Sequence, residues 1–511
     1  MGKNLFNSIQ LTRPKNNVFD LTYDVKLSLD MGRLVPICCV EAVPGDKFNI
    51  SCESLLRFAP LVSPVMHRMD VTMHYFFVPN RILWPNWEKF ITGSDYNGGA
   101  DPSPSFPQFP YLNISDGNYT LLADYLGIPT PQGGFNENVS ALPFSAYQKI
   151  FDEYYRDQNL QASDWAPLID GSNAAQEADL LNLRLRAWEH DYFTSALPFA
   201  QKGAAVGIPI GGFNDVQVGV HRFDDTTGLS TVSANEGGGP GSVGYGVQGD
   251  NALPDDQNLY AQTSDLTQTS STINDLRRAY RLQEWLERNA RGGTRYVESI
   301  LAHFGVKSSD KRLQRPEYIT GTKSPVVISE ILNTTGTTDV PQGNMSGHGV
   351  SVTTGKYGKY FCEEHGYIIG IMSVMPKTCY QQGIPKHFLK TSDPYQYFWP
   401  EFANIGEQAI ENREIYAFQA DPGVPFGYIP RYAEYKNLPS QVCADFRTSL
   451  DFWHLGRIFG SAPALNADFI QCLPRTDIFA VTSEETQKLY AHVLNKIRAV
   501  RPMPKYGTPT F

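Results

Sequence analysis

No stretch of this chain holds the ~20 consecutive apolar residues that a membrane-spanning helix needs, and no signal peptide opens it. Met1-Gly2-Lys3-Asn4 runs straight into polar sequence. Cysteine is scarce: 7 residues in 511, an odd number without framework spacing. That argues against a disulfide scaffold and for buried free thiols from a reducing compartment. There is no Walker-type phosphate loop and no Gly-x-Ser-x-Gly elbow. Cys362-Glu-Glu-His365 has no second pair at ligand spacing, so it reads as a strand end rather than a metal site. Gly239-Pro-Gly241-Ser-Val-Gly244 matches a dinucleotide fingerprint by letters only, because its flanks are glycine-rich loop and not strand and helix. No internal repeat is present. Nothing nominates a catalytic residue, a metal or a cofactor.

What the chain does carry is aromatic and turn-forming residues. Tyr (27) and Phe (29) are abundant, as are Pro (35) and Gly (43), while charged residues make up 19%. This is a globular composition that fits an all-β protein with long structured loops. The clearest element is Phe19 to Asp30. Its odd positions are Phe19, Leu21, Tyr23, Val25, Leu27 and Leu29; its even positions are Asp20, Thr22, Asp24, Lys26, Ser28 and Asp30. Strict alternation predicts a strand with one dry and one wet face, which needs a second layer to cover it.

Later segments repeat that theme. Pro44-Gly45-Asp46 is a turn, and Lys47 to Cys52 alternates again. Val65 to Val78 predicts a long strand with Met69, Val71, Met73, Tyr75 and Phe77 inward and Arg68, Asp70, Thr72 and His74 outward. His67 and His74 then fall on opposite faces. Residues 84–210 form a large inter-strand insertion, with helices expected at Phe144–Asp157 and Leu180–Asp191. Residues 211–270, rich in Gly, Ser, Thr and Asp, read as a surface insertion. A helix is predicted from Thr272 to Ala290, closed by Gly292-Gly293, inside a helical segment at 271–320. Strands return at Val326–Leu332 and Lys359–Val374, and Leu489–Val500 is assigned to a strand.

Net charge is −10, unevenly spread. The amino end (Lys3, Arg13, Lys15) and the segment 486–511 (Lys488, Lys496, Arg498, Arg501, Lys505) contain no acid up to Asp20 and after Glu485, respectively. An acidic body with basic ends admits either solvated termini or contacts to nucleic acid.

Specific strings then resemble one family. Asp24-Val-Lys-Leu-Ser-Leu-Asp-Met-Gly-Arg-Leu-Val-Pro36, Val43-Pro-Gly-Asp-Lys-Phe-Asn-Ile-Ser51 and Pro64-Val-Met-His-Arg68 are similar to major capsid proteins of gokushoviruses, single-stranded DNA bacteriophages of the Microviridae. So are His74-Tyr-Phe-Phe-Val-Pro-Asn-Arg81, Leu286-Glu-Arg-Asn-Ala-Arg-Gly-Gly-Thr-Arg-Tyr296, Glu364-His-Gly-Tyr-Ile-Ile-Gly370 and Arg431-Tyr-Ala-Glu-Tyr435. The resemblance implies a mainly β fold: an eight-stranded antiparallel viral jelly roll of two packed sheets, with long, partly helical insertion loops. It implies one jelly-roll domain over 1–511, pentamers, and a T=1 icosahedral shell around circular single-stranded DNA. It also implies virion localisation after assembly in the host bacterial cytoplasm, without membrane insertion. Implied partners are a small basic DNA-binding protein, an internal scaffolding protein, a pilot protein and a host surface receptor.

Candidate DNA contacts are Lys3, Arg13, Lys15, Lys496, Arg498, Arg501 and Lys505. A three-fold protrusion for host attachment is expected within 211–270, with Asn214, Asp224, Asp225, Asn235, Tyr245 and Asp250 as recognition candidates. The rival reading is a β-sandwich that binds or hydrolyses glycans, which would need paired carboxylates facing a cleft.

Overall fold

The computed structural model describes residues 15–93, 106–207, 220–224, 228–231, 259–261, 272–336, 342–419 and 421–506. Five strands come first: β1 (Asn17–Asp20), β2 (Tyr23–Leu29), β3 (Val35–Ala42), β4 (Lys47–Phe58) and β5 (Met69–Pro79). Within the insertions lie β6 (Tyr111–Ser115), β7 (Asn136–Ser140), β8 (Val220–Asp224), β9 (Gly228–Thr231) and β10 (Leu259–Ala261). Then follow β11 (Glu317–Pro325), β12 (Val327–Leu332), β13 (Met345–Thr354), β14 (Gly358–Phe361) and β15 (Gly366–Pro376). The last three are β16 (Glu407–Glu411), β17 (Pro425–Pro430) and β18 (Leu489–Arg501).

Two antiparallel sheets make the framework. One runs β11-β5-β15-β3; the other runs β1-β18-β4-β13-β12, with β2 also on β18 and β14 also on β4. First and last strands meet in one sheet while β3, β5, β11 and β15 form the other, the interleaving of a jelly roll. The strand count differs from a simple eight because single strand positions are broken. β1 and β2 both pair with β18, at Asn17↔Arg501 through Asp20↔Arg498 and then at Tyr23↔Asn495 through Leu29↔Leu489. The interruption is local: the Asp20 carboxylate accepts the Thr22 N–H at 3.0 Å, a side-chain turn that competes with the ladder. β13 and β14 likewise share the edge of β4.

The core between the sheets is apolar. Leu29, Ile37, Phe48, Ile50, Leu56, Val71, Met73, Tyr75, Phe77, Ile368, Val493 and Ile497 are buried there. The predicted dry face of the first strand holds in period: Leu29 is fully buried, and Leu21 and Leu27 pack against this core. Tyr23, at the strand's start, stays exposed.

The outward face of β5 is not wet, as its polar residues had suggested. Asp70 and Thr72 are buried. Insertion residues Leu83, Trp84, Leu112, Phe144, Tyr147 and Ile150 bury the other side of this sheet against Phe76, Val78, Ile369 and Ile371. The polar groups have partners: Asp70 faces Lys323 at 3.1 Å and Lys377 at 3.4 Å. His67 precedes β5, so it is not on that strand; its Nε2 lies 2.6 Å from the Lys377 carbonyl.

The insertion after β5 carries the helix Leu142–Ile150, continued by a wider turn at Phe151–Tyr155, as expected. Leu180–Asp191 is different. Only its first residue closes a short helix; Leu181 forms a turn, and the rest is not helical, with single bridges at Leu185 and Ala187. Leu181, Leu183 and Leu185 recur at two-residue spacing, which is strand-like, and the backbone finds long-range partners. Leu34 N–H donates to Arg184, Arg186 N–H to Gly32, and Cys472 N–H to Arg186. Gly32 sits at φ +79°, where a Cβ would lie 2.0 Å from the Cys472 carbonyl oxygen, so only glycine passes.

The sequence reading did not mark 377–488 as an insertion. It contains β16 paired with β17, and Ile410, Ile415, Phe426, Ile429, Phe469 and Ile470 form their own apolar cluster with Tyr192 and Phe193. Six cysteines are buried or partly buried, but Cys443 is exposed.

Gln201–Arg288 forms a second compact unit. It holds the three-stranded sheet β10-β8-β9. The helix Ile273–Gly292 begins within this unit, as predicted, with Glu284 paired to Arg281 at 2.6 Å and to Arg288 at 3.0 Å. Near the helix end Arg291 bonds Glu407. Its apolar stripe is largely in solvent, with Leu276 and Tyr280 exposed. The fingerprint-like glycines at 239–244 lie outside the described residues.

Candidate nucleic-acid interface

Because strand side chains alternate, the sheet containing β18 presents every second residue away from the core. On β18 these are Tyr490, His492, Leu494, Lys496, Arg498 and Val500; on β4 they are Lys47, Asn49, Ser51, Glu53, Leu55 and Arg57. The register sets Arg498 opposite Asn49 and Asp20, Val500 opposite Lys47, and Tyr490 opposite Arg57 and Ser28. β14 adds Lys359 opposite Asn49 and Phe361 opposite Lys47, and β2 adds Lys26. The cations Lys26, Lys47, Arg57, Lys359 and Arg498 are exposed, and Lys496 is half-buried. Among the described residues of these strands, the acids on this face are Asp20, Asp24 and Glu53. Exposed Tyr490 and Phe361 lie among the cations. The face is therefore net positive with aromatic surface, the combination that tracks a phosphate backbone and stacks unpaired bases.

Several charges on this face are already engaged. Lys496 bonds Glu53, which holds its ammonium above the ordinary value. Asp24 lies 3.4 Å from His492 and 3.9 Å from Lys26. The Thr22 hydrogen bonds hold the Asp20 carboxyl below its usual range.

The sequence-derived contact candidates separate into groups. Arg498 is on the face and exposed; Lys15 and Lys505 are exposed near its end. Lys496 is there but paired. Arg501 is turned to structural use: its Nε is 3.3 Å from the fully buried Asp46, Nη2 donates to the Glu41 carbonyl at 2.7 Å, and the guanidinium stacks over Phe48. Lys3 and Arg13 lie outside the described residues. Lys26, Lys47, Arg57 and Lys359 were missed, because strand pairing and not proximity in sequence brings them beside Arg498. The one available signal was the alternation at Lys47–Cys52. Of the recognition candidates, Asp224 ends β8 opposite Gly228. Asn214, Asp225, Asn235, Tyr245 and Asp250 lie outside the described residues.

The Cys362–His365 cluster does not converge. Cys362 is in the core, Glu363 pairs with Lys311, Glu364 with Arg81 at 3.1 Å, and His365 meets the Trp87 ring edge-on. Carboxylates line several cavities; in one of 170 Å³ they are Glu414 and Glu434. Each is committed: Glu414 accepts from Lys386 and Tyr192 at 2.9 Å, and Glu434 from Lys390 at 2.8 Å. Burial pushes the Glu434 carboxyl up, but Lys390 and Gln408 outweigh it and hold it low, the reverse of what a general acid requires. Among the described residues no helix is long and apolar enough to cross a membrane.

Comparison with known proteins gives the same answer as the two-sheet topology. Residues 7–511 match the family model described as capsid protein (F protein). The chain belongs to the F protein family of phage capsid proteins. It is 37% identical to capsid protein VP1 of Chlamydia phage 1, covering 99% of this chain and 97% of that protein. It is 37% identical to capsid protein VP1 of Bdellovibrio phage phiMH2K, over 98% and 96% of the two chains. Capsid protein VP1 of Spiroplasma virus 4 is 32% identical over 94% and 93%. The resemblance to gokushovirus major capsid proteins holds over the whole chain. A capsid protein is a structural component of the virion and associates with copies of itself.

Proposed function

We propose that copies of this chain close into a T=1 icosahedral shell, through pentamers, around a circular single-stranded DNA genome. The open face of the β18 sheet is the genome side. One observation carries this assignment: the two sheets are treated oppositely. In the β5 sheet the central strands β5 and β15 are buried on both sides, whereas the β18 sheet leaves a basic, aromatic face exposed. Lys and Arg on phosphates release counterions irrespective of sequence, as packaging a whole genome requires. Assembly takes place in the host bacterial cytoplasm, with a small basic DNA-binding protein, an internal scaffolding protein and a pilot protein as further partners. The role is structural and not enzymatic.

The test is charge reversal on the face. Lys47→Glu with Arg498→Glu is expected to leave shells intact while lowering encapsidated DNA, read from particle absorbance ratio and sedimentation. For isolated subunits on single-stranded DNA, the slope of log affinity against log salt should shrink by about 0.7 per lost contact. Unchanged DNA content would refute the assignment.

The surface insertion 211–270, which falls within the compact unit Gln201–Arg288, is the proposed host-attachment protrusion at the three-fold axes. The separation of that unit and the insertion's polar, glycine-rich composition support this reading. Exchanging residues 211–270 with those of a relative is expected to change adsorption to cells while particle yield stays the same. Unaltered host range in the exchanged particles would contradict it.

A further inference from the structure

Arg186 is a cation without an anion. It comes from the non-helical segment after Leu181 and reaches the outward side of the β5 sheet. Nη1 donates to Thr72 Oγ1 and to Ser373 Oγ, the latter at 2.8 Å. Nε and Nη2 have no protein acceptor among the described residues, and no carboxylate there pairs with the guanidinium. Its electrostatic neighbours are the Tyr155 phenol and the Cys472 thiol. Burial pushes both groups up, so both are neutral near pH 7. The nearby acids are spent: Asp70 and Glu189 are each held by Lys323 and Lys377. A partly buried charge without a counter-charge is unfavourable, and an anion in reach of it would relieve that cost. The centre of the Tyr155 ring lies 5.7 Å from the guanidinium carbon, and the ring covers it in part.

Arg186 lines a cavity of 370 Å³. Phe76, Tyr154, Tyr155, Trp188 and Tyr318 make most of its wall, with His74, Ala187, His190 and Glu189 completing it; the Glu189 carboxylate there is paired with Lys323 and Lys377. His74 Nδ1 is 2.7 Å from the Tyr155 hydroxyl, and burial, with the Arg186 charge, holds this imidazole down at about 4, hence neutral. Tyr318 is 48% exposed, so one ring face remains available. The volume exceeds what a lone phosphate fills and falls in the range of small-ligand sites. A forked cation with free donors beside a flat, exposed ring suits a phosphate attached to a planar base.

We propose that this cavity binds a nucleotide unit, its phosphate on Arg186 and its base against Tyr318. The source is either a segment of the strand, in which case the inference rests on the genome-enclosing reading, or a free mononucleotide. The site is distinct from the basic face, since it lies on the outward side of the other sheet.

Isothermal titration of the purified full chain tests it, with deoxyadenosine monophosphate, a short oligothymidylate, deoxyadenosine and inorganic phosphate as probes. The monophosphate is expected to bind at least tenfold more tightly than deoxyadenosine or inorganic phosphate. Arg186→Met should weaken it about tenfold or more, as loss of a charge-assisted bond implies. Tyr318→Ala should weaken it about fivefold or more, the loss of one stacking contact. Arg186 also ties Thr72 to Ser373, so melting curves accompany both variants; the half-exposed Tyr318 gives a result even if Arg186→Met fails to fold. With the basic face removed by Lys47→Glu/Arg498→Glu, oligothymidylate binding that is tighter than the monophosphate and is weakened by Tyr318→Ala identifies the strand as source; equal affinity identifies the free nucleotide. No binding of either, equal affinity for inorganic phosphate, or unchanged binding in Tyr318→Ala would overturn the proposal. DNA content of Lys47→Glu/Arg498→Glu particles is read separately, so either reading can fail alone.

Discussion

Asn495→Leu is expected to destabilise the subunit by about 3 kcal/mol, because two buried groups lose their partners at about 1–3 kcal/mol each. Asn495 is fully buried in the middle of β18, an otherwise apolar inward row. It joins the two sheets. The Tyr75 hydroxyl on β5 donates to Asn495 Oδ1 at 2.6 Å, and Asn495 Nδ2 donates to the Ile37 carbonyl on β3 at 2.8 Å. Leucine has nearly the same volume, so packing changes little and the cost falls on the polar groups. Tyr75→Phe orphans only Asn495 Oδ1 and should cost about half as much. In the double variant Tyr75 no longer brings an orphaned hydroxyl, so the two costs should fall short of additive. Denaturant unfolding followed by circular dichroism measures all three. A loss below about 1 kcal/mol for Asn495→Leu would show that the clasp contributes no more than an ordinary hydrogen bond.

Arg501→Met is expected to cost about 3 kcal/mol at pH 7, as when one partner of a buried pair is removed. The Asp46 carboxylate is inaccessible to solvent in the turn between β3 and β4, where Oδ2 accepts the Val43 N–H at 3.0 Å. Burial pushes its carboxyl above the ordinary 3.8, against the pull of Val43 and Arg501. The folded state therefore prefers the protonated form more than the unfolded chain does. Asp46's contribution to stability is fully present below the unfolded value and declines as pH rises through the folded one. Without Arg501 the folded value climbs further, so the penalty at neutral pH grows. The deficit of Arg501→Met relative to wild type should shrink as pH falls from 7 toward 4.5, and Asp46→Asn should rescue much of it at pH 7. Melting curves across that range check this; a deficit independent of pH would place the effect in lost packing over Phe48. Arg498→Glu, by contrast, should leave the melting temperature nearly unchanged, since that side chain is exposed.

These two arginines show how far sequence reaches. Both sit in the basic terminal segment, and both suit phosphate contact by composition. Alternation along Leu489–Arg501 identifies the strand, but nothing local announces that Asp46, far earlier in the chain, will be buried beside Arg501. Pairing between the chain's two ends decides it. The same limit hid Lys47, Arg57 and Lys359, which reach the basic face through the β4 register.

Periodicity was legible wherever one face is wet, as in β2, β4 and β18. It misled where both sides are covered. Asp70 and Thr72 look like a solvent face until the insertion closes over them and supplies lysine and hydroxyl partners. Leu181–Leu185 alternates, yet the acids and leucines around it resemble a helix. Its non-helical form is set by the backbones of Leu34, Gly32 and Cys472, which lie far apart in sequence.

An electron-microscopy map of genome-filled particles tests the central claim most directly. It should show T=1 shells with the β18 sheet inward and nucleic-acid density against Lys47, Arg57, Lys359 and Arg498. Density lining the opposite side of the subunit, with that face in contact with the outer solvent, would contradict the account.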